Sequence, residues 1–127
     1  MIYAVICFNI DGQIRFKREY KPTNLDLVKK CYTGKYLFIK YLDNYNVVYH
    51  RFGNLVVCMC VDKNENLLNI GSFINRIMNV FDLLFTDLCE LNLVYSLNLV
   101  YKVLDRFILD GKMLEVDPIK IAKEFKK

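Results

Sequence analysis

The sequence predicts an α+β fold, a five-stranded antiparallel sheet with helices on both faces. Ile2 to Phe8 and Leu55 to Val61 are continuous apolar runs of strand length, the mark of strands covered on both sides, so these two belong side by side in the middle of the sheet. Asp11-Gly12 and Gly53-Asn54 are turn-forming pairs that return the chain as hairpins. Beyond Val61, Leu67, Ile70, Phe73, Ile74, Ile77 and Phe81 recur at helical spacing as a broad apolar stripe that continues through Leu84 and Phe85.

In chain order, Ile14, Phe16 and Tyr20 alternate with Arg15, Lys17 and Glu19 in the second strand, which leaves Arg15 on a wet face and accessible. Pro22 and Thr23 end that strand. Thr23 with Asp26 makes a capping pair, Leu25, Val28 and Tyr32 mark one face of a short helix, and Gly34 closes it. Lys35 to Tyr41 is the third strand, Asp43-Asn44 a turn, and Tyr45 to Phe52 the fourth strand. The stripe of the long helix exceeds what one sheet face needs, and Met78 and Leu88 widen it toward a second contact. Asp87 with Glu90 is a capping-box pattern, and Ser96 a second N-cap candidate ahead of Leu97, Val100, Tyr101, Leu104 and Ile108. Gly111 is expected to end that helix as its left-handed C-terminal residue. Asp117-Pro118 starts a final helix carrying Ile119, Ile121, Ala122 and Phe125.

At 127 residues the chain fits one domain, 1–127, with one core. Its 54% hydrophobic residues, with 9 Tyr and 9 Phe, exceed the ~45–50% of an ordinary globular chain. Such an excess fits a permanent subunit whose surface is shared with a partner. The net charge of +4 is mild and its basic residues are scattered in pairs such as Lys17-Arg18 and Lys29-Lys30, a poor match to a nucleic-acid stripe. Five cysteines without framework spacing point to free thiols in a reducing compartment. Cys58 and Cys60 share a strand face, where core packing is the simpler reading than metal ligation. Met1 to Phe8 is too short to span a bilayer and lacks a basic leader, so the expectation is a cytosolic protein.

Nothing in the sequence assembles an active site. His50 is the only histidine and lies within a strand beside Arg51, Asp105 and Asp110 read as solvated, and no glycine-rich loop offers to hold a phosphate. The expectation is a non-enzymatic protein without a cofactor or metal. A thiol-dependent enzyme or redox protein built on the cysteines is the rival from another class, and it requires an accessible cysteine of depressed pKa.

Three strings carry a resemblance. Cys89-Glu90-Leu91-Asn92-Leu93-Val94-Tyr95, followed by Val100-Tyr101-Lys102-Val103-Leu104-Asp105 and Asp110-Gly111-Lys112, resembles the signature of the small (sigma) subunits of heterotetrameric adaptor protein complexes that coat transport vesicles. Met1-Ile2 with Phe8-Asn9, Gly12 and Arg15 is similar to the first hairpin of that family. Val47 to Leu55 followed by Cys60-Val61-Asp62 is similar to its central hairpin.

The resemblance implies a longin-like fold, in agreement with the hydrophobic pattern. It also implies large adaptin subunits and a medium (mu) subunit as partners, a clathrin coat, and peripheral attachment to the cytosolic face of Golgi, endosomal or plasma membrane. Sigma subunits of this kind form, with one large subunit, the site for acidic dileucine sorting signals in the tails of membrane cargo. Carried over by position, the cargo site would comprise Gly53, Leu55, Met78, Asp87, Leu88, Leu91 and Leu93, with Arg15 meeting the acidic residue of the signal. Leu55, Met78, Leu88, Leu91 and Leu93 also read as plain core residues. Three positions depart from the family: Met78 replaces a valine and narrows the pocket, Asp87 replaces an asparagine and repels an acidic peptide, and Ile10 stands at a position basic in some members. Another longin-type trafficking subunit such as coatomer zeta is the nearest alternative, and a membrane-fusion protein would need a coiled coil and an anchor after the domain.

Overall fold

A computed structural model describes residues 1–85 and 90–126. Five strands, β1 (Ile2–Asn9), β2 (Ile14–Glu19), β3 (Leu37–Tyr41), β4 (Asn46–Phe52) and β5 (Leu55–Val61), form one antiparallel sheet in the order β2-β1-β5-β4-β3. The two continuous apolar runs are therefore the central, adjacent pair, with Val5 opposite Met59 and Cys7 opposite Val57. Every residue of β5 is buried, and β1 is buried except at Tyr3.

Alternate residues of the central strands enter two cores. Val5, Cys7, Val57, Met59 and Val61 face one side together with α2 (Leu67–Leu84), α4 (Leu97–Phe107) and α5 (Pro118–Phe125). Ala4, Ile6, Phe8, Cys58 and Cys60 face the other, beneath the short helix α1 (Leu25–Lys30). Each large apolar side chain buried in this way contributes roughly 1.5–3 kcal/mol, so a strand with two apolar faces is stable only where both are covered. One turn of helix cannot cover a sheet face alone. Tyr49 completes the cover on the α1 side by donating its hydroxyl to the Val28 carbonyl, with its ring 5.6 Å from Tyr32 and 5.7 Å from Phe38. The broad stripe of α2 is used by neighbouring helices as well as by the sheet, since α2 packs on α4 and α5 as well as on β4 and β5.

Four expectations change. The cap of α1 is Asn24 rather than Thr23, its side chain accepting from the Leu27 N–H at 3.1 Å, and the helix stops at Lys30, so Gly34 belongs to the following loop. Ser96 occupies the cap position of α4 without a side-chain capping bond. That helix ends at Phe107, and Gly111 instead serves a hairpin between β6 (Ile108–Leu109) and β7 (Lys112–Met113). Asp110 at φ 49° and Gly111 at φ 82° form its two-residue turn, the conformation that an Asp-Gly pair supplies most cheaply. The Asp87 half of the proposed capping box lies outside the described residues, and α3 (Glu90–Tyr95) begins at its other half.

The fourth change lies in β2. Cys7 pairs with Phe16 but Phe8 pairs with Ile14, which leaves Arg15 as the extra residue of a β-bulge. Phe16 enters the α2-side core while Ile14 packs on the α1 side, so the regular alternation is broken at Arg15.

Gly111 also closes the sheet end, because its carbonyl accepts from the Ile2 N–H at 2.6 Å and a Cβ added there would sit 2.5 Å from the Ile2 carbonyl oxygen. Gly111→Ala combines that clash with a positive φ, and it is expected to destabilise the protein by about 2–4 kcal/mol, measured by urea denaturation; Gly34→Ala, with open space around it, serves as the comparison and costs less.

Candidate functional site

The Arg15 bulge, the β1–β2 turn, the β4–β5 turn and the start of α3 meet at one end of the sheet. Asn9, the last residue of β1, is buried and organises this corner. Its Oδ1 accepts from the Asp11 N–H at 3.0 Å and the Gln13 N–H at 2.9 Å, which shapes the turn as an Asx motif. Its Nδ2 donates to Gln13 Oε1 at 2.9 Å and to Glu90 Oε1 at 2.6 Å. The two turns are joined by the Ile10 N–H, which donates to the Asn54 carbonyl at 3.0 Å. Gly53, at φ 61° as the first residue of the β4–β5 turn, is pinned by Arg51 Nε at 2.7 Å from its carbonyl.

Arg15 reaches into the same corner. Its Nε lies 2.5 Å from Glu90 Oε1 and its Nη2 2.8 Å from Gln13 Oε1. The guanidinium beside Glu90, and then the Asn9 amide, hold the Glu90 carboxyl below the usual glutamate range. Arg15 is thus half-buried and ion-paired within its own chain, a correction to the accessible strand residue expected from alternation. Asn9, Gln13 and Glu90 are the partners that sequence reasoning missed. The signal that pointed to them was the bulge, and a bulge is a matter of register rather than composition.

The remaining residues of the anticipated cargo site divide sharply. Leu55, Met78 and Leu93 are wholly buried in the α2-side core, whereas Leu91 is 59% exposed on α3 and Gly53 is exposed in its turn. Asp87 and Leu88 lie outside the described residues. The corner therefore combines an exposed leucine, a core floor and an arginine whose charge is already matched.

Elsewhere, the other edge of the sheet is apolar and open. Tyr36, Leu37 and Tyr41 are exposed along β3, and a groove of about 230 Å³ between β3–β4 and α2 is lined by Leu37, Ile39, Val48, His50, Leu67 and Leu68. His50 lies 4.3 Å from the Phe52 ring, burial lowers its pKa, and its Nδ1 is buried without a hydrogen-bond partner. A neutral imidazole without a carboxylate or hydroxyl on that nitrogen is not set up for proton transfer. The β2 edge differs, since the Tyr101 hydroxyl accepts from the Lys17 N–H and donates to the Lys17 carbonyl, and Arg18 pairs with Asp105 at 2.6 Å. Asp105 is accordingly paired rather than simply solvated.

Cys7, Cys58 and Cys60 are buried, and burial raises all three thiols, Cys60 to about 12. Cys58 and Cys60 do share a face, the one under α1, and no group of His, Cys, Asp and Glu among the described residues is placed to hold a metal ion. Among the described residues no helix is long and apolar enough to cross a membrane.

A sheet of this topology with this buried corner defines a class, and comparison with known proteins gives its family. The description of the clathrin adaptor complex small chain matches residues 1–127, and this chain belongs to that family. It is 31% identical over 126 residues to the AP-1 complex subunit sigma-1 of Dictyostelium discoideum, covering 91% of this chain and 80% of that one. It is 37% identical over 126 residues to the AP-2 complex subunit sigma of Gibberella zeae, covering 91% and 88%. In fold it is similar to a chain of a homology model of the full-length AP-3 complex in a stretched open conformation, at a TM-score of 0.70 and 20% identity over 98% of this chain and 90% of that one. The protein is a small chain of the adaptor-complex type, of the kind that serves vesicle transport.

Thiol chemistry tests the picture of the core. At about pH 8, near the ordinary thiol pKa, an alkylating reagent is expected to modify the half-buried Cys31 of the native protein and to spare Cys7, Cys58 and Cys60 until it is denatured, as read by mass mapping. Rapid native labelling of any of those three contradicts the burial described.

Proposed function

We propose that this chain is a permanent subunit of a heterotetrameric adaptor complex, held by large adaptin subunits beside a medium subunit. The complex sits peripherally on the cytosolic face of a Golgi, endosomal or plasma membrane and supports a clathrin coat. Family membership supports the assembly, and so does the apolar surface that the fold leaves open. Tyr36, Leu37 and Tyr41 on the β3 edge, Leu68 beside the groove, and Leu83 and Ile119 where α2 meets α5 are all exposed. An open, apolar strand edge invites pairing with other chains and favours a lasting cover.

Within that complex the chain helps to bind dileucine sorting signals in cargo tails. The observation that carries this reading is Leu91, exposed one position after the glutamate that holds Arg15. Hydrophobic anchors would supply the affinity, roughly 1.5–3 kcal/mol for each leucine fully buried. Leu91 and Leu88 would meet the leucine pair, Leu55, Met78 and Leu93 would form the floor beneath, and Gly53 would leave the approach past the β4–β5 turn free of a side chain. Arg15 stands where an acidic residue upstream of the pair would arrive, and Asp87 opposes such a charge.

Affinity purification from the source cell is expected to recover two large subunits and one medium subunit in constant proportion; recovery of a free, soluble chain contradicts the assembly. On the reconstituted complex, Leu88→Ser and Leu91→Ser are each expected to weaken a dileucine peptide about tenfold, by fluorescence anisotropy. Unchanged affinity in both variants overturns the cargo site.

A further inference from the structure

We infer that Glu90 is a built-in substitute for the acidic residue of a sorting signal, so that this chain selects dileucine peptides with little regard to an upstream acid. The inference rests on the cargo reading above and specifies the ligand class of that site. Its ground is the corner itself. The Glu90 carboxylate lies on Arg15 Nε at 2.5 Å and on Asn9 Nδ2 at 2.6 Å, the contacts an acidic peptide side chain would seek there.

Arg15 is not a flexible side chain that happens to fold back. It is the extra residue of the bulge, its Nη2 is fixed by Gln13, and Gln13 is fixed in turn by the buried Asn9. Glu90 opens α3 and lies far along the chain from Arg15, so two separate elements would have to part before the pair opened. A peptide carboxylate arriving here meets a guanidinium whose charge is already balanced. It must either displace Glu90 into water, returning one ion pair for another, or bind beside it against a like charge. Either way the gain from an acid over its amide is small.

The test uses the assembled complex and two peptides that differ only in Glu or Gln upstream of the leucine pair, measured by fluorescence anisotropy. For the native complex the two affinities are expected to agree within about twofold, whereas Glu90→Gln frees the guanidinium and makes the acidic peptide about three- to fivefold tighter. Adding Arg15→Ser to Glu90→Gln is expected to abolish that new preference. A native complex that already prefers the acidic peptide about fivefold or more overturns the inference and leaves the cargo reading standing, as does a Glu90→Gln complex with no preference. Failure of either peptide to bind any form overturns the cargo reading and the inference with it. Should the variant fail to assemble, the native complex decides through salt: the ratio of the two affinities is expected to stay flat between about 50 and 500 mM, a range over which screening would erode any charge-driven preference. A ratio that falls with salt overturns the inference.

Discussion

The pairing of β1 with β5 is the constraint from which the rest of the structure follows. Both strands are apolar on both faces, so neither can lie at an edge or against water, and each face requires its own cover. One side is met by the long α2 with α4 and α5. The other is met by a six-residue helix that suffices only because Tyr49, Tyr32 and Phe38 fill in around it. The requirement also sets what happens at the edges. Tyr101 of α4 satisfies the backbone of β2, so that edge is closed by the chain's own helix, and β3 is left as the edge a partner would cover.

The corner around Arg15 depends on the same pairing at one remove. Because β1 is held in place by β5 through Asn9 opposite Leu55, Asn9 arrives buried at the end of the strand. A buried amide needs partners for both its oxygen and its nitrogen. Two backbone N–H groups of the turn take the oxygen; Gln13 and Glu90 take the nitrogen. The bulge that follows places Arg15 beside those two acceptors. An ion pair exposed to solvent counts for little, but this one is anchored through a buried residue, so its geometry is held by the core rather than by its own attraction.

The family resemblance and the physical reading meet at different residues. The string from Glu90 to Tyr95 identifies the family, yet in the fold its members part company: Leu93 is core, Leu91 is surface, and Glu90 is the partner of a residue on the opposite end of the chain. The core positions Leu55, Met78 and Leu93 bear out the plain packing reading of their spacing, and that does not separate a structural leucine from one beneath a binding surface. Fold similarity to an adaptor complex supports the architecture and is silent on cargo.

Sequence alone determined the sheet, its central pair and the long helix, because apolar periodicity records which faces a segment must bury whatever lies against them. It also determined the Asp117 cap with Pro118 behind it, since both signals are local. Only the tertiary structure decided that Gly111 turns a hairpin rather than ending a helix, that Asn24 and not Thr23 caps α1, and that Arg15 breaks the alternation of its strand. A positive φ suits either a helix end or a turn, two neighbouring polar residues cap equally well, and a one-residue bulge leaves no trace in composition; each is resolved by contacts with distant segments, Ile2 for Gly111 and Glu90 for Arg15.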